Sequence, residues 1–117
     1  MNQIVHLCTQ AAWLAAQETG AYRADSLESE GFIHCSSPEQ VEAVANHFYR
    51  GQEGLVLLRI DPERVAAEIR WEDLYEAGEE FPHIYGPLET AAVVAVRGFN
   101  PGPDGYFSLG EEDKVDK

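Results

Sequence analysis

The sequence predicts a single α+β domain built from two main helices and a mostly antiparallel sheet. Three observations lead there. A chain of 117 residues suits one hydrophobic core. Both helix-forming segments lie in the first half, and each is bounded by capping residues. Short β-rich segments crowd the second half, so the order β-α-turns-β-α-β-β-β-β does not repeat a βαβ unit. We assign residues 1–100 to the domain and 101–117 to a turn-rich, acidic, mobile tail.

Ile4–Cys8 (Ile-Val-His-Leu-Cys) reads as a strand of β-branched and apolar residues. Thr9 is placed to cap the Ala- and Leu-rich helix over Gln10–Thr19, and Gly20 to end it. A turn-rich stretch follows to Gly31. Phe32-Ile-His-Cys is the next strand. Ser37, Pro38 and Gln40 then form a capping box with proline at the first helical position. Val41, Val44, Ala45 and Phe48 repeat at helical spacing and predict an amphipathic helix ending near Gly51.

Leu55–Ile60 is an apolar strand interrupted only by Arg59. Asp61-Pro62 signals one helical turn. Ala67–Glu72 alternates and predicts a half-exposed strand, and Phe81–Gly86 a short extended piece. Ala91–Arg97 reads as a second buried strand. The run Asn-Pro-Gly-Pro-Asp-Gly after Phe99 continues no element.

Charge narrows the function. The net charge is −13, and −11 of it belongs to residues 1–110. Such a surface repels phosphate backbones and anionic membranes, so general nucleic-acid binding and membrane association are not expected. The chain opens on Met-Asn-Gln-Ile-Val-His, without a basic or apolar leader, and carries two cysteines, Cys8 and Cys35. We expect a cytoplasmic protein with reduced thiols. The oligomeric state is left open.

Three histidines stand out. His6 shares a strand face with Ile4 and Cys8. His34 shares one with Phe32 and Ser36, and Cys35 points the other way. His83 shares one with Tyr85. Three strands thus each offer one imidazole, as a pocket on a sheet requires. The competing explanation is that each is a hydrogen-bonded structural residue. His47 lies on a helix flank and reads as surface. A zinc site would use these ligand types, but neither Cys-x-x-Cys nor His-Glu-x-x-His is present, so no metal is expected. Cys8 and His6 stand about 7 Å apart along their strand, which disfavours a thiolate pair, and both cysteines read as buried apolar groups. Among the carboxylates we favour Glu72, at the end of its strand. Arg23, Arg59 and Arg70 are the cations available to a phosphate.

The segments Val-His-Leu-Cys-Thr at 5–9, Gly-Phe-Ile-His-Cys-Ser at 31–36 and Phe-Pro-His-Ile-Tyr-Gly-Pro-Leu at 81–88 carry a resemblance, together with Trp13, Tyr22, Ser26-Leu27 and Val41-x-x-Val-Ala-Asn. They resemble the small bacterial domain of unknown function 952 over nearly the whole chain to Phe99. The resemblance implies the fold of ADP-ribosyltransferases and RNA 2′-phosphotransferases: a split, curved sheet flanked by helices, with a cleft for NAD or an ADP-ribose group. It implies that His6 lies at the adenosine-ribose side, that His34 and Ser36 come from the next core strand, and that His83 and Tyr85 stand near the scissile bond. A histidine there departs from transferases with a catalytic glutamate, which puts protein ADP-ribosylation in doubt.

Our candidates are therefore His34, His83, Tyr85 and Glu72 as catalytic residues. Candidate contacts to an NAD or ADP-ribose-like ligand are His6, Thr9, Ser36 and Arg59. The expected activity is binding of a small NAD, ADP-ribose or ribose-phosphate compound, with cleavage or transfer of it. The alternatives are a ligand-binding module without chemistry and a histidine-based metal protein.

Overall fold

The computed structural model describes residues 3–74 and 76–108. Its strands are β1 (Ile4–Thr9), β2 (Ala21–Tyr22), β3 (Ile33–His34), β4 (Leu55–Ile60), β5 (Glu68–Glu72), β6 (Phe81–Tyr85), β7 (Leu88–Glu89) and β8 (Val93–Phe99). Its helices are α1 (Gln10–Thr19), α2 (Asp25–Ser29) and α3 (Pro38–Phe48), and two single turns of 3-10 helix precede β5 and β8. Strands assemble as β1-β4-β8, β2-β7 and β3-β6-β5. Every described strand pair is antiparallel.

The helix boundaries follow from the caps. Thr9 accepts from the backbone N–H of Ala12, and Gly20 closes α1 in the left-handed region at φ 88°. Ser37 and Gln40 form the capping box of α3, with Pro38 in its first turn. The Asp61 side chain caps the turn over Pro62–Arg64.

The β1-β4-β8 sheet is the central layer, with one core on each side. Ile4, Cys8, Val56, Leu58 and Ile60 face Trp13 and Ala16 of α1 and Ile33, Cys35 and Ile84 beyond. Val5, Leu7, Leu55 and Leu57 face Val41 and Ala45 of α3 and Phe99 and Phe107. A strand covered on both faces is apolar on both, and this is why β4 reads as a continuous apolar run from Leu55 to Leu58, with Arg59 near its end. One antiparallel bridge, Val5 to Ser36, links this sheet to the β3 side.

Four expectations change. The Ala91–Arg97 segment is not a buried strand. It begins with a helical turn, Thr90–Ala92, and continues as β8, whose positions 94 to 98 are exposed. The reason is cover: β8 and β1 are the two edges of the sheet, and the main helix contacts fall on β1 and β4. Phe48 leaves the apolar stripe of α3 and is exposed. The turn-rich stretch from 20 to 31 contains β2 and α2. Finally, the tail divides. Residues 101–108 are held down, because Asn46 accepts from the N–H of Phe107 and donates to its carbonyl, and the Phe107 ring stacks on Phe99. Burying that ring stabilises the fold by about 2–3 kcal/mol. The rest of the expected tail, 109–117, lies outside the described residues.

Candidate functional site

The β3-β6-β5 sheet has two unlike faces. Ile33, Ile84 and Ile69 point into the core. The alternate positions point the other way, as period-two strand geometry requires. The register sets His34 beside His83, and Arg70 on the other side of His83. Phe32, His34, His83, Tyr85, Arg70 and Glu72 thereby share one face.

Glu72 is the hub of this face. Its Oε1 accepts from the Tyr85 hydroxyl at 2.7 Å and from His83 Nδ1 at 2.9 Å. An ionised carboxylate only accepts, so His83 carries its proton on Nδ1 and Nε2 is its basic nitrogen. The hydrogen bonds from Tyr85 and then His83 hold the Glu72 carboxyl below the usual carboxylate range. The same bond pushes the Tyr85 hydroxyl upward. Arg70 lies over the Tyr85 ring, 4.5 Å from its centroid, and is itself bonded to Glu68 at 3.0 Å.

Rings fill the middle of the face. Phe32 stacks on His83 with centroids 4.3 Å apart and meets His34 edge-on at 4.9 Å. The His34 and His83 rings are 5.5 Å apart. His34 is half-exposed and bonds Glu30 at 3.2 Å. His83 is only 2% exposed, whereas Glu72 is partly open to solvent.

His6 has a different setting. It points to the core face of β1, where its Nδ1 donates to the His34 carbonyl at 2.5 Å and its Nε2 accepts from the Tyr22 hydroxyl at 2.8 Å. One ring thus ties β1 to β2 and β3. Burial lowers its pKa to about 4, against the partial support of the His34 backbone bond. The ring is neutral at physiological pH. Cys8 and Cys35 are free thiols in the same core, and burial pushes both upward, Cys8 to about 11. They behave as small apolar groups.

The structure therefore gathers His34, His83, Tyr85 and Glu72, the four catalytic candidates, on one face. It does not bring the four ligand-contact candidates there as side chains. His6 lies behind the face and reaches it through a backbone carbonyl. Thr9 caps α1, Ser36 is buried and bridges Val5 through its backbone, and Arg59 lies on β4 opposite Val5 and Ala95. His47 is exposed, against Phe48. Phe32 and Glu30 complete the face but were not among the candidates, and Arg70, named only as a cation available to a phosphate, lies there too. For Arg70 the signal was present, since it alternates with Glu68 and Glu72. For Tyr22, the partner of His6, a two-residue strand leaves no periodicity to read. Among the described residues no three His, Cys, Asp or Glu side chains are grouped as a metal site requires.

Comparison with known proteins gives relatives but no activity. The family described as "Protein of unknown function (DUF952)" matches residues 7–96. No curated protein matches. The crystal structure of protein CC0527 from Caulobacter crescentus is 32% identical, with a TM-score of 0.86 over 97% of this chain and 99% of that one. A double methionine variant of CC0527 superposes equally well, at 32% identity and a TM-score of 0.86. The solution NMR structure of CC0527 is 33% identical, with a TM-score of 0.82 over 96% of this chain and 97% of that one. With the match spanning most of its length, the chain belongs to the DUF952 family.

Proposed function

We propose that the outward face of β3, β6 and β5 binds NAD or a related ADP-ribose or ribose-phosphate compound, and that Glu72 promotes cleavage or transfer at the ribose. One observation carries this reading: a partly open carboxylate oriented by two donors from the neighbouring strand. Breaking the nicotinamide–ribose bond sends its electron pair to the nicotinamide nitrogen, which leaves neutral. The ribose then carries oxocarbenium-like charge. A fixed anion beside it lowers the barrier. Water, or an acceptor hydroxyl, adds its oxygen to the ribose carbon and releases a proton to solvent. In this scheme Glu72 is the catalytic residue, while His83 and Tyr85 position it. Arg70 is the cation best placed for the ligand's phosphates, and His34 lines the approach.

The filled centre of the face favours a second reading, a module that binds such a ligand without turning it over. Mass spectrometry after incubation with NAD, ADP-ribose and ribose phosphates separates the two. The first reading expects product from the wild type and none from Glu72→Gln, with binding kept in both. The second expects a thermal shift without product. Neither product nor shift with any of these compounds removes both readings.

A further inference from the structure

We propose that the outer edge of β8, with the shallow hollow between it and α1, is a self-association surface on which a second copy of this chain adds its own β8. The edge comes first. β8 is outermost in its sheet and pairs with β4 on one side. An outermost strand presents a row of backbone donors and acceptors, a ready template for another strand. Native edges are blunted by lysine, proline, several charges or a bulge, and β8 carries only the last, where its register shifts opposite Arg59 and Ile60. Val93–Phe99 carries no proline and a single charged residue, Arg97.

Side chains extend the surface. Val94 is 45% exposed, Val96 41% and Leu14 of α1 53%. Two shallow hollows lie along this seam, and both are lined by Trp13 and Val96.

Charge selects the occupant. The chain carries 21 acidic residues, yet none falls in 90–103, which supplies β8, and α1 carries a single one, Glu18, in its last turn. No residue lining either hollow is acidic. A basic partner would find its complement elsewhere on the molecule. Two copies, each at −13, repel one another least where carboxylates are fewest, and this seam is such a place. A two-fold axis makes a strand antiparallel to itself, and it sets the same patch against the same patch. The three-stranded sheet would then run on into the three strands of the second copy, with Leu14, Val94 and Val96 of both buried at the join.

Sedimentation equilibrium of the full chain, from about 1 µM to about 1 mM, tests this. The expected mass rises to twice 13.0 kDa, and association strengthens with salt as the like charges are screened. Val96→Glu places a carboxylate in the seam and should weaken self-association by at least about tenfold. Leu14→Glu, on an exposed helix position, should do the same without touching β8, so an unfolded Val96 variant leaves the test standing. A wild type that stays at 13.0 kDa throughout overturns the proposal. So does a dimer indifferent to Leu14→Glu, and so does a monomer whose β8 instead captures an extended apolar peptide.

Discussion

His6 and His83 look alike in sequence, each a histidine in the middle of an apolar strand. Both are buried, at 8% and 2% exposure. Their partners separate them. His6 bonds a carbonyl and a tyrosine hydroxyl, both neutral, and knits three strands together. His83 bonds a carboxylate whose other surface reaches solvent. Burial alone therefore does not tell the two settings apart. What distinguishes the two is whether the histidine's partner is charged and accessible.

The largest effect that would break this comparison lies at His6. His6→Ala removes the ring and leaves the Tyr22 hydroxyl and the His34 carbonyl buried without their partner. The expected cost is about 3–5 kcal/mol of stability, measured by urea unfolding. A loss under about 1 kcal/mol would mean that the ring is not a structural tie.

Acid sharpens the same point. The folded pKa of His6 is about 4, below the usual 6.5, so the unfolded chain takes up the proton first. The contribution of His6 is complete above pH 6.5 and is lost as pH falls toward 4. That amounts to roughly 3 kcal/mol. His6→Gln should flatten this part of the pH–stability curve. An unchanged slope between pH 6.5 and 4 would assign acid sensitivity to another group.

At the other histidine the expected effects fall on chemistry. Glu72→Gln keeps the size of the side chain and loses its charge. Under the proposed function, turnover should drop by about 10²–10³-fold, with ligand binding and the unfolding midpoint near wild type. If Glu72→Gln unfolds the protein as His6→Ala does, the two regions do not differ in kind.

The comparison also marks how far the sequence is legible. Caps and periodicity place α1, β4 and the start of α3 almost to the residue, because these boundaries are written in local chemistry: Thr9 and Gly20, Ser37-Pro38 and Gln40, Asp61-Pro62; α3 itself ends at Phe48, before the expected Gly51. Face alternation brings His83 and Tyr85 to one side, and the register adds His34 and Glu72. Two things escape. Short strands such as β2 and β7 exist only through pairing with one another, so nothing local announces them. Burial of an apolar strand depends on what covers it, and the sequence of β8 resembles that of β4 although its place at the edge leaves it open. The separation of His6 from the other histidines escapes for the same reason, since strand faces are readable but their relative orientation is set by packing.

The smallest and most local test lies at Tyr85. Its hydroxyl is the foremost cause holding the Glu72 carboxyl low, ahead of His83. Tyr85→Phe removes that donor and leaves the ring under Arg70 in place. Glu72 should then titrate nearer the usual carboxylate range. Because its folded value is depressed, the native-state benefit of ionised Glu72 is present above that range and lost as pH falls through it. The variant should lose less on acidification than the wild type. Carboxyl NMR titration reads this directly, and the acid limb of any turnover profile should move up with it. Glu68→Gln serves as the control, since Glu68 bonds Arg70 and not Glu72. If Tyr85→Phe leaves the Glu72 titration where it was, the carboxylate is set by His83 alone. The face would then reduce to one histidine–carboxylate pair, closer to the His6 arrangement than its geometry suggests.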